Sequence, residues 1–236
     1  MLVLCVAAVL GLLSAGQAAP LTCEALVKPL ENTSLEMLLG KWMLIGDSST
    51  VPGANTAGKM LLHNVWVEVT PTSDSNTVTS VQIQKILNRC QSIRINITLE
   101  NNALQIVKPL RMTGVVLNTD CPDCIVIHSK YNLAGQTLQG LMVMSKRREV
   151  TSDELDSFKK QVECLSLPPP LILGSLSDLC PHPDSPTDGQ LTADITEAFE
   201  GEQRQEIFKL LDKIMSIPGG MVGFMERITS SLRQNS

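Results

Sequence analysis

The sequence predicts an all-β chain, an eight-stranded antiparallel up-and-down β-barrel with one packed α-helix and a C-terminal helical extension. Three observations carry this prediction. Short β-rich segments separated by turn residues follow one another from Lys41 to Ser145. One amphipathic helical pattern comes directly after them, and two more lie near the C-terminal end. An even number of cysteines remains once an apolar N-terminal segment is set aside, as in secreted domains braced by disulfides.

The N-terminal segment predicts secretion. Residues 1–15 are apolar almost throughout, and Gly16-Gln17-Ala18 places small residues where signal peptidase reads them. We therefore expect residues 1–18 to be a signal peptide and the mature chain to be extracellular, as plasma proteins are. The alternative, an N-terminal membrane anchor, would need about 20 apolar residues, and this run is shorter. No later segment has the length and apolarity of a transmembrane helix.

The barrel strands are predicted from β-rich runs and the turns between them. Most of the connections are short, which favours antiparallel neighbours in sequence order. The loop after the first strand, residues 48–62, is the long one. The candidate strands are 41–47, 63–70, 77–87, 90–99, 103–108, 112–118, 124–131 and 136–145.

A helix should follow the last strand. Thr151 with Glu154 three residues later forms a capping-box pattern at its start. Apolar residues then recur at helical spacing and predict one face that docks on the barrel: Leu155, Phe158, Val162 and Leu165.

A proline-containing linker separates the barrel from the C-terminal extension. We place the barrel domain at residues 19–184 and the extension at residues 185–236. Within the extension, residues 191–215 and 221–233 have the pattern of two amphipathic helices broken at Pro218. Packing of these helices on the barrel or on a second copy is favoured over binding to a lipid surface, because residues 194–213 carry more acidic than basic side chains.

Composition excludes several functions. A net charge of −5 and scattered basic residues argue against nucleic acid as a partner. His63, His128 and His182 have no ligand spacing, and no hydrolase, metalloprotease or P-loop motif is present, so we expect no catalysis, metal or cofactor. Cys121-x-x-Cys124 precedes a strand and not a helix, which favours a structural role over a redox role.

The cysteines and sequons fit an oxidising compartment. Cys5 falls in the signal peptide, which leaves six whose pairing the spacing alone does not decide: Cys23, Cys90, Cys121, Cys124, Cys164 and Cys180. Asn32 and Asn96 head two glycosylation sequons. A glycan on Asn96 must point outward, so alternation along that strand turns Cys90, Ser92 and Arg94 outward. The same alternation turns Gln91 and four apolar residues inward: Ile93, Ile95, Ile97 and Leu99.

Gly40-Lys41-Trp42 just before the first strand, with the strand count, the helix and the cysteines, resembles the lipocalin family. The chain is similar to the orosomucoid and apolipoprotein M branch, and especially to the plasma saxitoxin- and tetrodotoxin-binding proteins. The segments that carry this are residues 23–30, Cys121-Pro122-Asp123-Cys124 and residues 149–164. The likeness spans about residues 21–184. It implies that Trp42 closes the barrel floor and that a basic side chain, Lys146 or Arg147, stacks on it.

The resemblance also implies disulfides and a function. The bridges would be Cys23–Cys164 and Cys90–Cys180, which leaves Cys121–Cys124 as a local loop. The function would be that of a non-enzymatic plasma carrier for small hydrophobic or amphipathic molecules. Guanidinium toxins or drugs enter this list from the resemblance alone, because the strands carry few acids, Glu68 and Asp123.

Cavity-facing residues are assigned by alternation along the strands. With aromatic residues at 3% of the chain, the cavity should be aliphatic and should favour aliphatic lipids over flat rings. Two other functions remain open: association with lipid or lipoprotein surfaces through residues 191–233, and a secreted immunomodulatory module that needs no small ligand. The cavity candidates are Ile93, Ile95, Ile97, Leu104, Ile106, Ile127, Tyr131 and Met142.

Overall fold

The structure is a computed structural model. It describes residues 22–86, 88–108, 110–133, 136–174, 178–185, 192–197, 204–220 and 222–224. The predicted signal peptide lies outside these ranges, and so does almost all of the second predicted tail helix. The division into a barrel domain and an extension therefore stays a prediction.

Eight long strands run in sequence order around the barrel. Each pairs antiparallel with the next, β1 also pairs with β8, and β4 pairs with β5, which closes the cylinder. The predicted eight-stranded up-and-down barrel is thus confirmed. The strands are β1 Gly40–Ser49, β2 Leu62–Pro71, β3 Thr77–Ile86, β4 Arg89–Glu100, β5 Ala103–Ile106, β6 Met112–Leu117, β7 Cys124–Leu133 and β8 Gln136–Ser145.

Shorter elements surround the barrel. The helices are α1 Cys23–Leu26, a 3-10 turn Glu36–Leu38, α2 Ala54–Leu61, α3 Ser152–Cys164 and α4 Arg204–Ser216. Two short strands extend the sheet: β9, Leu171–Ile172, pairs with β1, and β10, Ala193–Asp194, pairs parallel with β4. The capping box at Thr151 and Glu154 begins α3 as predicted.

The structure corrects three assignments made from the sequence: one strand end, one loop and one helix. The fifth strand ends at Ile106 and not at residue 108. The long first loop contains α2, which the turn residues there did not indicate. Residues 191–215 are not one helix, because Ala193 and Asp194 form β10 against the edge of β4. There the unpaired backbone groups of a neighbouring strand outweigh the helical periodicity of the segment.

The apolar side chains form two main layers, one outside and one inside the barrel wall. The outer layer holds Phe158 and Val162 of α3 against Met43 and Ile45 of β1. A Cβ at Gly46 would lie 2.9 Å from the Phe158 ring, so glycine lets α3 sit close to the wall. The inner layer contains Trp42, Val67, Leu104 and Ile127, among others, and lines the barrel interior.

Three disulfides brace this arrangement, and they are the ones that the family resemblance implies. Cys23–Cys164 joins the N-terminal segment to the end of α3. Cys90–Cys180 joins β4 to the segment that leads into the C-terminal extension. Cys121–Cys124 closes the short loop before β7.

Candidate ligand-binding site

The barrel holds a cavity of two compartments that share part of their walls. The wide compartment has a volume of about 440 Å³ and the narrow compartment about 110 Å³. Five residues line both: Gln82, Ile95, Ile106, Met112 and Met142. The wide compartment is also lined by Asp47, Ser49, Gln84, Ile93, Leu110, Ser129, Tyr131, Gly140 and Ile195. The narrow compartment is also lined by Leu38, Trp42, Val67, Val69, Ser80, Ile97, Leu104, Gly114, Ile125, Ile127 and Met144.

The structure places all eight cavity candidates on these walls. Ile93 and Tyr131 lie in the wide compartment. Three more lie in the narrow compartment: Ile97, Leu104 and Ile127. The remaining three line both compartments: Ile95, Ile106 and Met142. Because β4, β5, β7 and β8 are regular where these residues stand, alternation alone predicts which side chains face inward.

Trp42 lines the narrow compartment and is 4% exposed. Its indole Nε1 donates a hydrogen bond of 2.7 Å to the Leu38 carbonyl, so the polar edge of the ring is satisfied. The Lys146 ammonium lies 4.9 Å from the ring centroid. Of the two basic candidates, Lys146 is therefore the one that stacks on Trp42.

Arg147 has a different role, which is a correction to the alternative that placed it on Trp42. Its guanidinium donates to Asp123 at 2.6 Å and to both oxygens of Glu154 at 2.8 and 2.9 Å. These bonds tie the loop before β7 to the N-terminus of α3. The neighbouring carboxylates raise the pKa of Arg147, with the Asp123 hydrogen bond as the largest cause.

Replacing Lys146 with Met should cost little stability, about 0.5–1 kcal/mol, because a cation–π contact near the surface contributes about that much. Replacing Arg147 with Met should cost more, since it leaves two carboxylates without their shared cation. Urea unfolding of the two variants checks this order. Equal losses, or a larger loss at Lys146, would contradict it.

Asp47 is the residue that sequence reasoning missed. It lines the wide compartment, and the structure gives its carboxylate no hydrogen bond or ion pair within the described part of the chain. Burial raises the pKa of Asp47 to about 6, so the carboxylate is charged at neutral pH and neutral in mildly acidic solution. The cavity therefore holds a titratable anionic group on an otherwise largely apolar wall.

A β-bulge explains why alternation does not find Asp47. Trp42 faces inward, so strict alternation along β1 would turn Asp47 outward. The register of β1 against β8 shifts between Leu44 and Gly46, and one extra residue exchanges the two faces of the strand beyond it. Asp47 and Ser49 consequently line the cavity.

The acids that the sequence did single out lie elsewhere. Glu68 is 3.3 Å from the His182 ring in a surface pair, and Asp123 pairs with Arg147. The two strand acids that the sequence analysis named, Glu68 and Asp123, therefore left out Asp47, which lines the cavity.

Polar groups beside Asp47 give the wide compartment its hydrogen-bonding capacity. The Ser49 hydroxyl and the Tyr131 hydroxyl lie 3.3 Å apart. Burial raises the pKa of Tyr131, so its phenol stays neutral and can donate or accept. Gln82 and Gln84 contribute amides to the same wall. The wide compartment is thus suited to the polar group of an amphipathic molecule, and the narrow compartment to its apolar part.

The two predicted glycosylation sites lie on the protein surface. Asn32 and Asn96 are both exposed, as sequon asparagines must be to carry a glycan.

Sulfur and oxygen atoms of Cys121, Asp123 and Cys124 lie within 4.8 Å of one another. The two cysteines are joined in a disulfide, so their sulfurs are not thiolate ligands for a metal.

A closed up-and-down barrel around one internal cavity is the architecture of small-molecule-binding barrels of the lipocalin type. Solved structures bear out this likeness. One, described as a siderocalin Ex-FABP that functions through dual ligand specificities, matches with a TM-score of 0.54 and 17% identity over 60% of this chain and 97% of that one. An odorant binding protein, OBP1, matches with a TM-score of 0.53 and 15% identity over 65% of this chain and all of that one.

These similarities show the fold. No family model matches the sequence, and no curated protein matches it. Both structural matches leave more than a third of this chain uncovered. Among the described residues no helix is long and apolar enough to cross a membrane.

Proposed function

We propose that the chain is a secreted, non-enzymatic carrier that binds small amphipathic molecules inside its barrel. The observation that carries the proposal is Asp47, a carboxylate on the wall of a largely apolar cavity with no partner among the residues that the structure describes. A buried charge without a partner is costly, and a ligand that supplies a cation or hydrogen-bond donors would offset that cost. The preferred ligand has an apolar body and one positively charged or donating group.

The apolar walls supply most of the affinity. Burying about 300 Å² of apolar ligand surface would contribute on the order of 7 kcal/mol before binding costs, so micromolar affinity also requires polar contacts such as one to Asp47. The two compartments together suit an elongated ligand, with its apolar end near Trp42 and its polar end near Asp47. This arrangement supports aliphatic amphiphiles over flat aromatic rings, as the scarcity of aromatic residues predicts.

Secretion, glycosylation and the toxin-binding branch belong to the same proposal. The three disulfides and the exposed sequon asparagines support an extracellular protein. Asp47 supplies the cavity carboxylate that a guanidinium ligand would require, so toxin or drug binding gains support from a residue as well as from the resemblance. Membership of the orosomucoid and apolipoprotein M branch rests on the resemblance alone.

The experiment is native mass spectrometry of the secreted protein, followed by titration with the neutral fluorescent probe N-phenyl-1-naphthylamine. We expect a small molecule to leave with unfolding, or the probe to bind with micromolar affinity. Met142→Trp should weaken the probe about tenfold or more, because Met142 lines both compartments and an indole there would fill the space between them.

Lys130→Trp is the matched control for this test. Lys130 is exposed on β7, so its replacement adds the same indole outside the cavity and should leave probe affinity unchanged. Equal weakening by the two variants would show that the probe binds outside the barrel. A protein that is empty as secreted and binds neither this probe nor dodecylammonium, an aliphatic cation, would overturn the carrier proposal in favour of a lipid-surface or protein-interaction role.

A further inference from the structure

The barrel wall has an open edge beside the wide compartment. β4 has twelve residues and β5 has four. The two strands pair only over Thr98, Leu99 and Glu100 on the β4 side. The preceding part of β4 therefore has no β5 residues beside it to complete the wall there. A free edge of this kind presents unsatisfied backbone groups and opens the cavity sideways.

The C-terminal extension covers this edge. β10 pairs parallel with Gln91 and Ser92 of β4. The Ile195 amide donates to the Ser92 carbonyl at 2.9 Å, and the Arg94 amide donates to the Thr196 hydroxyl at 2.8 Å. Ser92, which alternation turned toward the outside, is fully buried. We call residues 192–197 the strap.

The strap also reaches the cavity. Ile195 lines the wide compartment together with Asp47, Ile93 and Tyr131. We propose that the strap is part of the ligand-binding wall and that Ile195 contacts the apolar body of the bound molecule beside its polar head. This inference rests on the proposed carrier function. It assigns to the extension a role in ligand retention, in place of lipid-surface binding through this segment.

Several links hold the strap in place. Arg94 donates to both carboxylate oxygens of Asp184 at 2.7 Å, and its Nε lies 3.5 Å from Asp194. One guanidinium on β4 therefore binds Asp184, which precedes the strap, and Asp194, which lies within it. The Cys90–Cys180 bridge anchors the approach to it covalently. Such anchoring reduces the entropy that the strap would lose on closing over a ligand.

Helix α4 extends the cover over the rim of the barrel. Met215 is buried against Leu133 and Leu138 of the β7–β8 hairpin, in a cluster that also includes Tyr131. Beyond the helix, a Cβ at Gly220 would lie 2.2 Å from the Pro52 carbonyl oxygen, so the chain passes close to the first loop. Strap and helix thus contact the barrel at the same end as the wide compartment.

Cysteine labelling tests the contact directly. Ile195→Cys and the matched control Glu197→Cys, which replaces an exposed residue of the strap, are treated with N-ethylmaleimide, with and without saturating N-phenyl-1-naphthylamine. Intact-mass spectrometry follows the labelling. We expect the probe to slow labelling of Cys at position 195 by about tenfold or more, since a bound molecule excludes the reagent, and to leave position 197 unaffected.

Dissociation kinetics provide the second measurement. Ile195→Ala should raise the dissociation rate of the probe about threefold to tenfold, because the lost side chain removes apolar contact and opens the edge. Glu197→Ala should not change it. If the probe binds the wild type but neither labelling nor dissociation responds at position 195, the strap is not part of the site although the carrier function stands. If the wild type is empty as secreted and binds neither the probe nor dodecylammonium, both proposals are wrong.

Discussion

Asp47→Asn should raise the free energy of unfolding at pH 7 by up to about 3 kcal/mol, an unusual gain for a single polar substitution. The pKa of Asp47 rises from 3.8 to about 6 on folding. The unfolded chain therefore loses this proton at lower pH than the folded chain. Between about pH 4 and pH 6 the stability of the wild type falls as pH rises, and above pH 6 this loss is complete.

The asparagine variant has no such titration, so the two proteins should be equally stable below pH 4 and should diverge as the pH rises to 6. Urea unfolding from pH 4 to pH 8 measures the difference. Asp120→Asn is the control, because Asp120 is exposed in the loop before β7 and does not line the cavity. A constant difference between wild type and Asp47→Asn across this range would contradict the assignment.

The same substitution should weaken cationic ligands selectively. Displacement of the fluorescent probe by dodecylammonium should require about tenfold to a hundredfold more ligand in Asp47→Asn, since a hydrogen bond to a charged group contributes about 1.5–3 kcal/mol. Dodecanol, which has the same chain without charge, should displace the probe equally from both proteins. In the wild type, cation affinity should fall as the pH drops below 6, where Asp47 takes up a proton.

Phe158→Ala should destabilise the protein by about 3–5 kcal/mol, because it removes a large side chain from a packed site. Phe158 is 2% exposed and joins α3 to the outer face of the barrel. Gly46 stands opposite the ring and has no side chain of its own to fill the space that the ring leaves. Thermal or urea unfolding measures the loss.

Probe affinity shows whether the loss of stability in Phe158→Ala is accompanied by a change in the cavity. Phe158 lies in the outer layer and not among the cavity walls, so the folded variant should bind N-phenyl-1-naphthylamine within about twofold of the wild type, as expected for sites without shared partners. Lys160→Ala, at an exposed position of the same helix, should change stability by no more than about 0.5 kcal/mol. A large loss of probe affinity in Phe158→Ala would show that α3 shapes the cavity.

Local sequence patterns were sufficient for the regular parts of this protein. β-rich runs and turns predicted eight strands, each within about two residues of the observed ends, because hairpin pairing depends on neighbours in the chain. The capping box and apolar spacing predicted α3, because both act within a few residues. Alternation predicted inward-facing residues wherever the strands were regular, as at Ile95 on β4 and Ile127 on β7.

Family resemblance contributed what spacing could not. The pairing of Cys23 with Cys164 joins residues 141 positions apart, and nothing local to either cysteine selects its partner. The resemblance likewise pointed to a basic partner for Trp42, but it did not choose between Lys146 and Arg147. That choice depends on Asp123 and Glu154, which draw Arg147 to the other side of the loop.

The sequence by itself therefore determined the barrel, its packed helix and the aliphatic character of its interior. Tertiary structure decided two features that bear most on function. A bulge in β1, visible only in its pairing with β8, turns Asp47 into the cavity. The free edge of β4 draws residues 193 and 194 out of a helical pattern and brings Ile195 to the wall of the wide compartment. Both features depend on hydrogen bonding between backbone groups that are distant in the sequence. The side-chain periodicity of a single segment carries no information about such pairing.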